Sequence, residues 1–156
     1  MKIINQGQKG NCKWASWLHA MAIMGIIGTE KTQELYDNLP DVNLLTNDRA
    51  LNYFDDLYPV KTQKVYTIQI KWLLNRGIPI IVWVNGYNQE SIQKPPYIMR
   101  FEDRIGAHSF VIVERQGDLL KCLNSWWPDV CDHGYFYIHK SDVSKIWFKC
   151  ILIPKK

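Results

Sequence analysis

Residues 106–139 read GAHSFVIVERQGDLLKCLNSWWPDVCDHGYFYIH and give the clearest indication of the fold. Runs rich in β-branched and aromatic residues alternate in this stretch with turn-forming Gly, Asp and Pro. These runs predict strands over 108–114, 119–124 and 134–139. Gly, Asp and Pro separate these strands, and we expect them to be antiparallel. The stretch therefore predicts an antiparallel sheet.

The remainder of the chain is helical first and β-rich later. Asn11 can cap a helix over 12–27 that is apolar on nearly all sides, which describes a buried central helix. Further elements are predicted as helices over 32–38, 48–57 and 68–75 and as strands over 78–84 and 147–153. Helices grouped before antiparallel strands indicate an α+β protein, with a helical lobe at 1–60 and a β-rich lobe at 61–156.

Length and charge exclude several classes of protein. A chain of 156 residues fits one domain, or two small lobes that share a cleft. Its net charge of +4 comes from 19 basic and 15 acidic residues spread along the chain, without the clustered basic face that a nucleic-acid partner requires. The longest apolar stretch, 14–27, is interrupted by Ser16 and His19 and is shorter than the roughly 20 residues that span a bilayer. Neither a nucleic-acid partner nor a membrane partner is expected.

Cys12 is the first candidate for chemistry. A cysteine attacks acyl carbons as its thiolate, and the first turn of a helix stabilises that charge through unpaired N–H groups and the helix dipole. Cys12 is predicted to lie in such a turn. Lys9 and Lys13 flank it and favour the charged form further.

The residues around Cys12 resemble the active-site loop of the papain family of cysteine peptidases. Residues 5–12 read NQGQKGNC and 14–16 read WAS, similar to the family's Asn-Gln-Gly and Cys-Trp-Ala elements. Gln6 precedes Cys12 at the spacing of the family's oxyanion-hole glutamine. The resemblance implies that Gln6 and the Cys12 backbone N–H donate hydrogen bonds to the oxyanion formed on attack.

The stretch 106–139 also resembles this family. GAHSFVIV at 106–113 is similar to its histidine strand, LNSW at 123–126 to its Asn-Ser-Trp motif, and DHGYFYI at 132–138 to its Gly-Tyr strand. The resemblance implies that His108 is the base and that Asn124 orients it. It also implies a papain-like fold with a helical N-terminal lobe and an antiparallel β-barrel-like C-terminal lobe, which together form one catalytic unit.

The activity implied is that of a cysteine endopeptidase. His108 would take the Cys12 proton to form a thiolate–imidazolium pair and later protonate the leaving amine of an acyl-enzyme reaction. Trp126 would shield the hydrogen bond between His108 and Asn124 from water. Trp126 and Trp127 are also the candidates for substrate binding. The expected partner is a protein or peptide substrate, a propeptide or inhibitor protein is a further partner of such enzymes, and no cofactor or metal is implied.

Departures from the family pattern keep other functions open. Lys13 stands where the family has tryptophan after the nucleophile, and Val130 stands at its second downstream tryptophan. One alternative is a papain-like thiol amidase, deamidase or isopeptidase that acts on a specific protein side chain, since the fold does not fix the acceptor. Another is a non-catalytic interaction module, against which the joint retention of Gln6, Cys12, His108 and Asn124 argues.

The other thiols give weaker signals. Cys122, Cys131, His133 and Cys150 fit no compact zinc spacing, and a Cys122–Cys131 disulfide is left open. If Cys12 is free, three cysteines remain and at least one is unpaired within the chain, which favours a reducing compartment. No secretion signal precedes Gln6, so an intracellular location is slightly favoured, although a mature fragment with an added methionine would look the same.

Overall fold

A computed structural model describes residues 3–5, 12–39, 55–125, 130–146 and 148–155, with the backbone alone at 103–105. Its helices are α1 (Cys12–Ile23), α2 (Thr32–Asp37) and α3 (Ile70–Asn75), and residues 55–57 are also helical. Its strands are β1 (Val60–Lys64), β2 (Ile80–Val84), β3 (Tyr87–Asn88), β4 (Arg100–Ile105), β5 (His108–Gln116), β6 (Leu119–Leu123), β7 (Tyr135–His139) and β8 (Phe148–Pro154). Short 3-10 turns lie at Thr29–Lys31, Thr67–Gln69, Gln89–Ile92 and Lys140–Lys145. Within these ranges, every helix is too short or too polar to cross a membrane.

Six strands form one sheet in the order β1-β8-β2-β5-β6-β7, and each neighbouring pair is antiparallel. Strands β3 and β4 form a separate two-stranded ribbon. The predicted α+β class with an antiparallel sheet is confirmed. The sheet is open among the described strands, with β1 and β7 at its edges, so it lacks the closure that a β-barrel-like lobe implies. The division into lobes at 1–60 and 61–156 stays a prediction.

Both faces of the sheet are buried. Every residue of β2 is buried, and alternate side chains belong to two different clusters. Ile81 and Trp83 pack in the cluster that contains α1, while Ile80 and Val82 pack in the cluster that contains α3. A strand that is covered on both faces needs a continuous apolar run. The strand predicted over 78–84 from such a run corresponds to β2.

The buried central helix is confirmed, but it ends earlier than the predicted helix over 12–27. Helix α1 ends at Ile23, because Gly25 adopts a left-handed conformation with φ +74°. The N–H of Ile26 then donates to the carbonyl of Met21 at 2.9 Å, which closes the helix terminus. The apolar residues after this turn continue the hydrophobic pattern without continuing the helix.

The other predicted helices and strands can be compared with the structure one by one. The helices predicted over 32–38 and 68–75 correspond to α2 and α3, and the predicted strands correspond to β2 and β5–β8. Strands β1, β3 and β4 were not predicted; β1 reads VKTQK and only its first residue is buried, as suits a polar edge strand. The helix predicted over 48–57 lies outside the described residues except at 55–57, which are helical.

Candidate active site

Cys12 is the first residue of α1, which packs against the sheet beside β5. Its side chain is half-buried, and its sulfur interacts with the backbone N–H of Ser109. Ser109 directly follows His108 at the start of β5. The candidate nucleophile therefore contacts the residue that follows the candidate base, although Cys12 and His108 are 96 positions apart in the numbering.

His108 and Asn124 are brought together by the β5–β6 hairpin. His108 begins β5 and Asn124 directly follows β6, and the two strands pair antiparallel with Val111 opposite Leu123. The start of one strand thus lies beside the end of the other. His108 Nε2 lies 2.7 Å from Asn124 Oδ1, and the two residues are only 5% and 1% exposed.

The contacts of Asn124 determine the tautomer of His108. The backbone N–H of Ser125 donates to Asn124 Oδ1 at 2.9 Å, which identifies that atom as the amide oxygen. A carbonyl oxygen only accepts, so His108 Nε2–H is the donor in the 2.7 Å contact. In the neutral ring, Nδ1 is then the nitrogen without a hydrogen. Asn124 Nδ2 donates to Cys131 Sγ at 3.5 Å, so the amide is held at both ends.

Two aromatic rings pack on the imidazole. The Tyr87 ring stacks on His108 with centroids 5.8 Å apart and an interplanar angle of 26°. Phe110, the next residue on the same face of β5, lies 5.9 Å from it at 36°. Tyr87 and Phe110 are each 1% exposed, so they fix the ring plane and exclude water from it.

Burial dominates the electrostatics of the pair. It raises the pKa of the Cys12 thiol, and the Ser109 N–H and the charge of Lys13 offset this only in part. The lowered pKa expected from the helix terminus and the flanking lysines is therefore wrong, because that expectation leaves out the desolvation of the thiol. Burial also lowers the pKa of His108 to about 4, against the opposing effect of the Asn124 hydrogen bond. Both shifts favour the neutral thiol and the neutral imidazole.

Lys13 occupies the position at which the sequence departs from the family's tryptophan. Its Nζ lies 3.9 Å from the centroid of the Trp83 ring, a cation–π geometry. Burial lowers the pKa of Lys13, and its interaction with Cys12 acts in the opposite direction. Lys13 therefore places a cation next to Cys12, where the papain family has an aromatic ring. The ring that Lys13 contacts is Trp83 of β2.

A chain of buried hydroxyls joins the two elements that carry Cys12 and His108. Ser109 Oγ–H donates to Ser16 Oγ at 3.0 Å, and Ser16 Oγ–H donates to the Cys12 carbonyl at 2.8 Å. Both serines are 1% exposed. The start of α1 and the start of β5 are therefore linked through side chains as well as through packing.

The structure pairs His108 with Asn124 and places the Cys12 sulfur against Ser109, the residue that follows His108. Their catalytic roles stay predictions. Gln6, Trp126 and Trp127 lie outside the described residues, and their roles stay predictions. Sequence reasoning missed the contacting residues Ser16, Ser109, Tyr87 and Cys131. Of these, only Ser16 carried a signal, because a serine four residues after Cys12 on a helix can bond back to its carbonyl.

The four cysteines are free thiols, so the Cys122–Cys131 disulfide is not formed. Cys122 and Cys150 are fully buried in the sheet, while Cys131 is half-buried beside Asn124. In the part of the chain that is described, His, Cys, Asp and Glu side chains form no group of three arranged for a metal ion.

Comparison with known proteins identifies the fold. No protein-family model matches the chain, and a comparison with curated protein sequences finds no match either. The solved structure of the cysteine protease CMS1MS2 from Carica candamarcensis, in complex with E-64, matches with a TM-score of 0.63 and 17% identity, covering 100% of this chain and 93% of that one. Xylellain, a cysteine protease from Xylella fastidiosa, matches with a TM-score of 0.48 and 20% identity over 62% of this chain, which amounts to 41% of xylellain. The fold of this chain is papain-like.

Proposed function

We propose that this chain is a cysteine endopeptidase with Cys12 as nucleophile and His108 as base. One observation carries the proposal: His108 is held by Asn124 in the tautomer whose Nδ1 can take a proton, and the Cys12 sulfur contacts the N–H of Ser109, the next residue. A histidine held in this way, next to a thiol and oriented by a third group, is the arrangement that activates a nucleophile. The papain-like fold supports the assignment.

The reaction would proceed by acyl transfer. The Cys12 sulfur attacks the peptide carbonyl carbon while its proton passes to His108 Nδ1. The carbon–nitrogen bond then breaks, and His108 returns the proton to the leaving amine. Water hydrolyses the thioester with His108 again as base. The Cys12 backbone N–H, together with the predicted Gln6 amide, would donate to the oxyanion.

The neutral resting pair has a consequence for this mechanism. Since burial disfavours either charge alone, the thiolate and the imidazolium should form together in one proton transfer, and their mutual attraction in a buried site stabilises the product. Cys12 should therefore be reactive only while His108 is present. Without that partner, the raised pKa of a buried thiol should make it less reactive than an ordinary cysteine.

Thiol labelling across pH tests the proposal. Iodoacetamide should label Cys12 selectively in the wild-type protein at pH values below about 8.5, the pKa of an ordinary cysteine. In His108→Ala, labelling of Cys12 should move to higher pH, and in Cys12→Ala peptide hydrolysis should vanish. His133→Asn, a change at an exposed histidine, is the matched control.

The outcomes distinguish the functions. Equal labelling of all four cysteines contradicts the catalytic assignment. Selective labelling without cleavage of a peptide library supports the amidase, deamidase or isopeptidase alternative. Labelling of Cys12 by E-64, the compound bound in the CMS1MS2 structure, together with peptide cleavage supports the peptidase.

A further inference from the structure

We propose that a cavity at the far end of β5 is a docking site for an acidic peptide segment that carries an apolar side chain. The cavity has a volume of about 280 Å³. Its lining comes from three parts of the chain: the turn into α3, the β5–β6 hairpin and the 3-10 turn after β7. The lining residues are Thr67, Ile70, Lys71, Arg115, Leu120, Lys140 and Val143.

The lining divides into an apolar floor and a cationic rim. Ile70, Leu120 and Val143 are at most 4% exposed and form the floor. At the rim, Lys71 and Lys140 are exposed and Arg115 is half-buried, and none of the seven lining residues is acidic. An apolar pocket surrounded by convergent cations fits an apolar side chain flanked by carboxylates.

Carboxylates near the rim neutralise only part of this charge. Asp118 pairs with Lys140 at 2.9 Å, and its charge also acts on Arg115. Asp142, in the same turn as Lys140, pairs with Lys145 instead. Within the described residues, no ion pair engages Lys71 or Arg115. The rim therefore keeps a net positive charge that a ligand's carboxylates can meet.

The apolar surface beside the cavity favours a peptide over a small molecule. Tyr66, Ile68 and Trp72, from the segment that lines the cavity, are 74%, 90% and 54% exposed. These are three of the six large hydrophobic residues that are exposed in the described chain, and they lie within seven positions. The Arg76 guanidinium lies 3.7 Å from the centroid of the Trp72 ring and covers one face of it. A ligand confined to the cavity would leave Tyr66 and Ile68 in water, whereas an extended segment can cover them.

The site is separate from the candidate active site. Arg115 lies seven residues after His108 along the same strand, a span of roughly 24 Å. Docking therefore needs no catalysis, and it can be tested in full-length Cys12→Ala protein. Failure of docking would leave the proposed peptidase activity unaffected, and the reverse also holds.

Fluorescence anisotropy with a labelled, C-terminally amidated Gly-Glu-Glu-Leu-Glu-Glu-Gly peptide tests this proposal. Lys71→Glu and Arg115→Glu should each weaken binding by roughly threefold to tenfold, since each replaces an attraction by a repulsion. Asp118→Asn should tighten binding by about twofold, because it removes a competing carboxylate from Lys140. Lys61→Glu, the same charge change on the exposed face of β1, is the matched control and should alter nothing.

Two changes in the peptide complete the design. Replacing its glutamates by glutamines should abolish binding at moderate salt, and replacing its leucine by glycine should weaken it. The proposal is overturned if Lys61→Glu weakens binding as much as Lys71→Glu does, if the glutamine peptide binds equally well, or if dodecanoate binds to the cavity and the acidic peptide does not. Tighter binding by Asp118→Asn would support it even where a rim variant folds poorly.

Discussion

The amide of Asn124 determines what the imidazole of His108 can do. Its oxygen accepts from both Ser125 N–H and His108 Nε2–H, and its nitrogen donates to Cys131 Sγ. This three-way anchoring prevents the amide from rotating, so the tautomer of His108 depends on it. Asn124 is therefore a positioning residue for the proposed base.

Replacing Asn124 should separate turnover from substrate binding. Asn124→Ala should lower kcat roughly a hundredfold with little change in KM, because it releases the ring that must accept the Cys12 proton. Asn124→Asp should place a carboxylate beside the imidazole and raise the pKa of His108 above about 4, which moves the acidic limb of the kcat/KM profile to higher pH. Steady-state kinetics across pH measure both, with Asn38→Ala, a change at an exposed asparagine, as control. An unchanged kcat in Asn124→Ala would contradict the positioning role.

The hydroxyl chain predicts an order of stabilities. Ser109→Ala removes one donor and leaves Ser16 bonded to the Cys12 carbonyl, so it should cost about 0.5–1.5 kcal/mol in free energy of unfolding. Ser16→Ala removes both hydrogen bonds, so the buried Ser109 hydroxyl loses its acceptor and the Cys12 carbonyl loses its donor. It should lower the free energy of unfolding by about 1–3 kcal/mol. The double variant should cost less than the sum, because the two residues share one hydrogen bond. Urea unfolding of the three variants measures these costs, and strict additivity would show that the chain is not coupled.

The sequence identified Cys12, His108 and Asn124 as candidate site residues, but it did not predict which side chains surround them. The catalytic candidates stand in short local patterns that one sequence displays. The contact between Ser16 and Ser109 joins residues 93 positions apart, and it depends on how α1 lies against β5. The raised pKa of Cys12 was missed for the same reason, because burial is a property of the packed structure and not of neighbouring letters.

Helix α1 is the element on which the site depends, and its terminus is set by one glycine. Gly25 has φ +74° with no atom within 4 Å of a Cβ built there, so only the backbone conformation resists substitution. Its N–H donates to the Ala22 carbonyl at 3.1 Å, while the N–H of Ile26 donates to Met21, which is the Schellman pattern.

Substitution of Gly25 should therefore lower the free energy of unfolding through backbone conformation alone, because an added Cβ meets no neighbouring atom. Gly25→Ala should lower the free energy of unfolding by about 1–2 kcal/mol, because a Cβ disfavours the left-handed region. Gly25→Asn should cost less, since asparagine tolerates that region. Thermal or urea unfolding measures the difference. Equal costs for alanine and asparagine would mean that the left-handed conformation is not the cause.

Helices and strands could be predicted where the segment itself showed a hydrophobic pattern bounded by turn residues. The continuous apolar run of β2 and the turn-bounded strands β5 to β7 did so. Strand β1 did not, because only its first residue is buried and its place at the sheet edge comes from pairing with β8. The paired residues are 86 positions apart at Lys64 and Cys150 and 94 apart at Val60 and Pro154. The short β3–β4 ribbon likewise depends on pairing across an irregular register.

At the scale of the whole molecule, the two-sided sheet buries two histidines far from each other in sequence. His19, on α1, is fully buried, and its Nε2 accepts the backbone N–H of Ile4 at 2.9 Å. Burial lowers its pKa to about 3, as burial lowers that of His108 to about 4. Both residues are therefore neutral in the folded protein well below the pH at which an unfolded histidine is protonated.

This difference predicts a loss of stability in mild acid. In the unfolded chain a histidine binds a proton below about pH 6.5, so the unfolded state gains protons that the folded state does not take up. The stability is fully present above that pH, and each histidine should remove about 1.4 kcal/mol per pH unit as the pH falls from there toward its folded pKa. His19→Gln should make the slope between pH 6 and pH 4 shallower by about that amount for one group. Urea unfolding at half-unit steps of pH measures the slope, and a wild-type stability that stays flat from pH 7 to pH 4 would contradict the burial of both neutral rings.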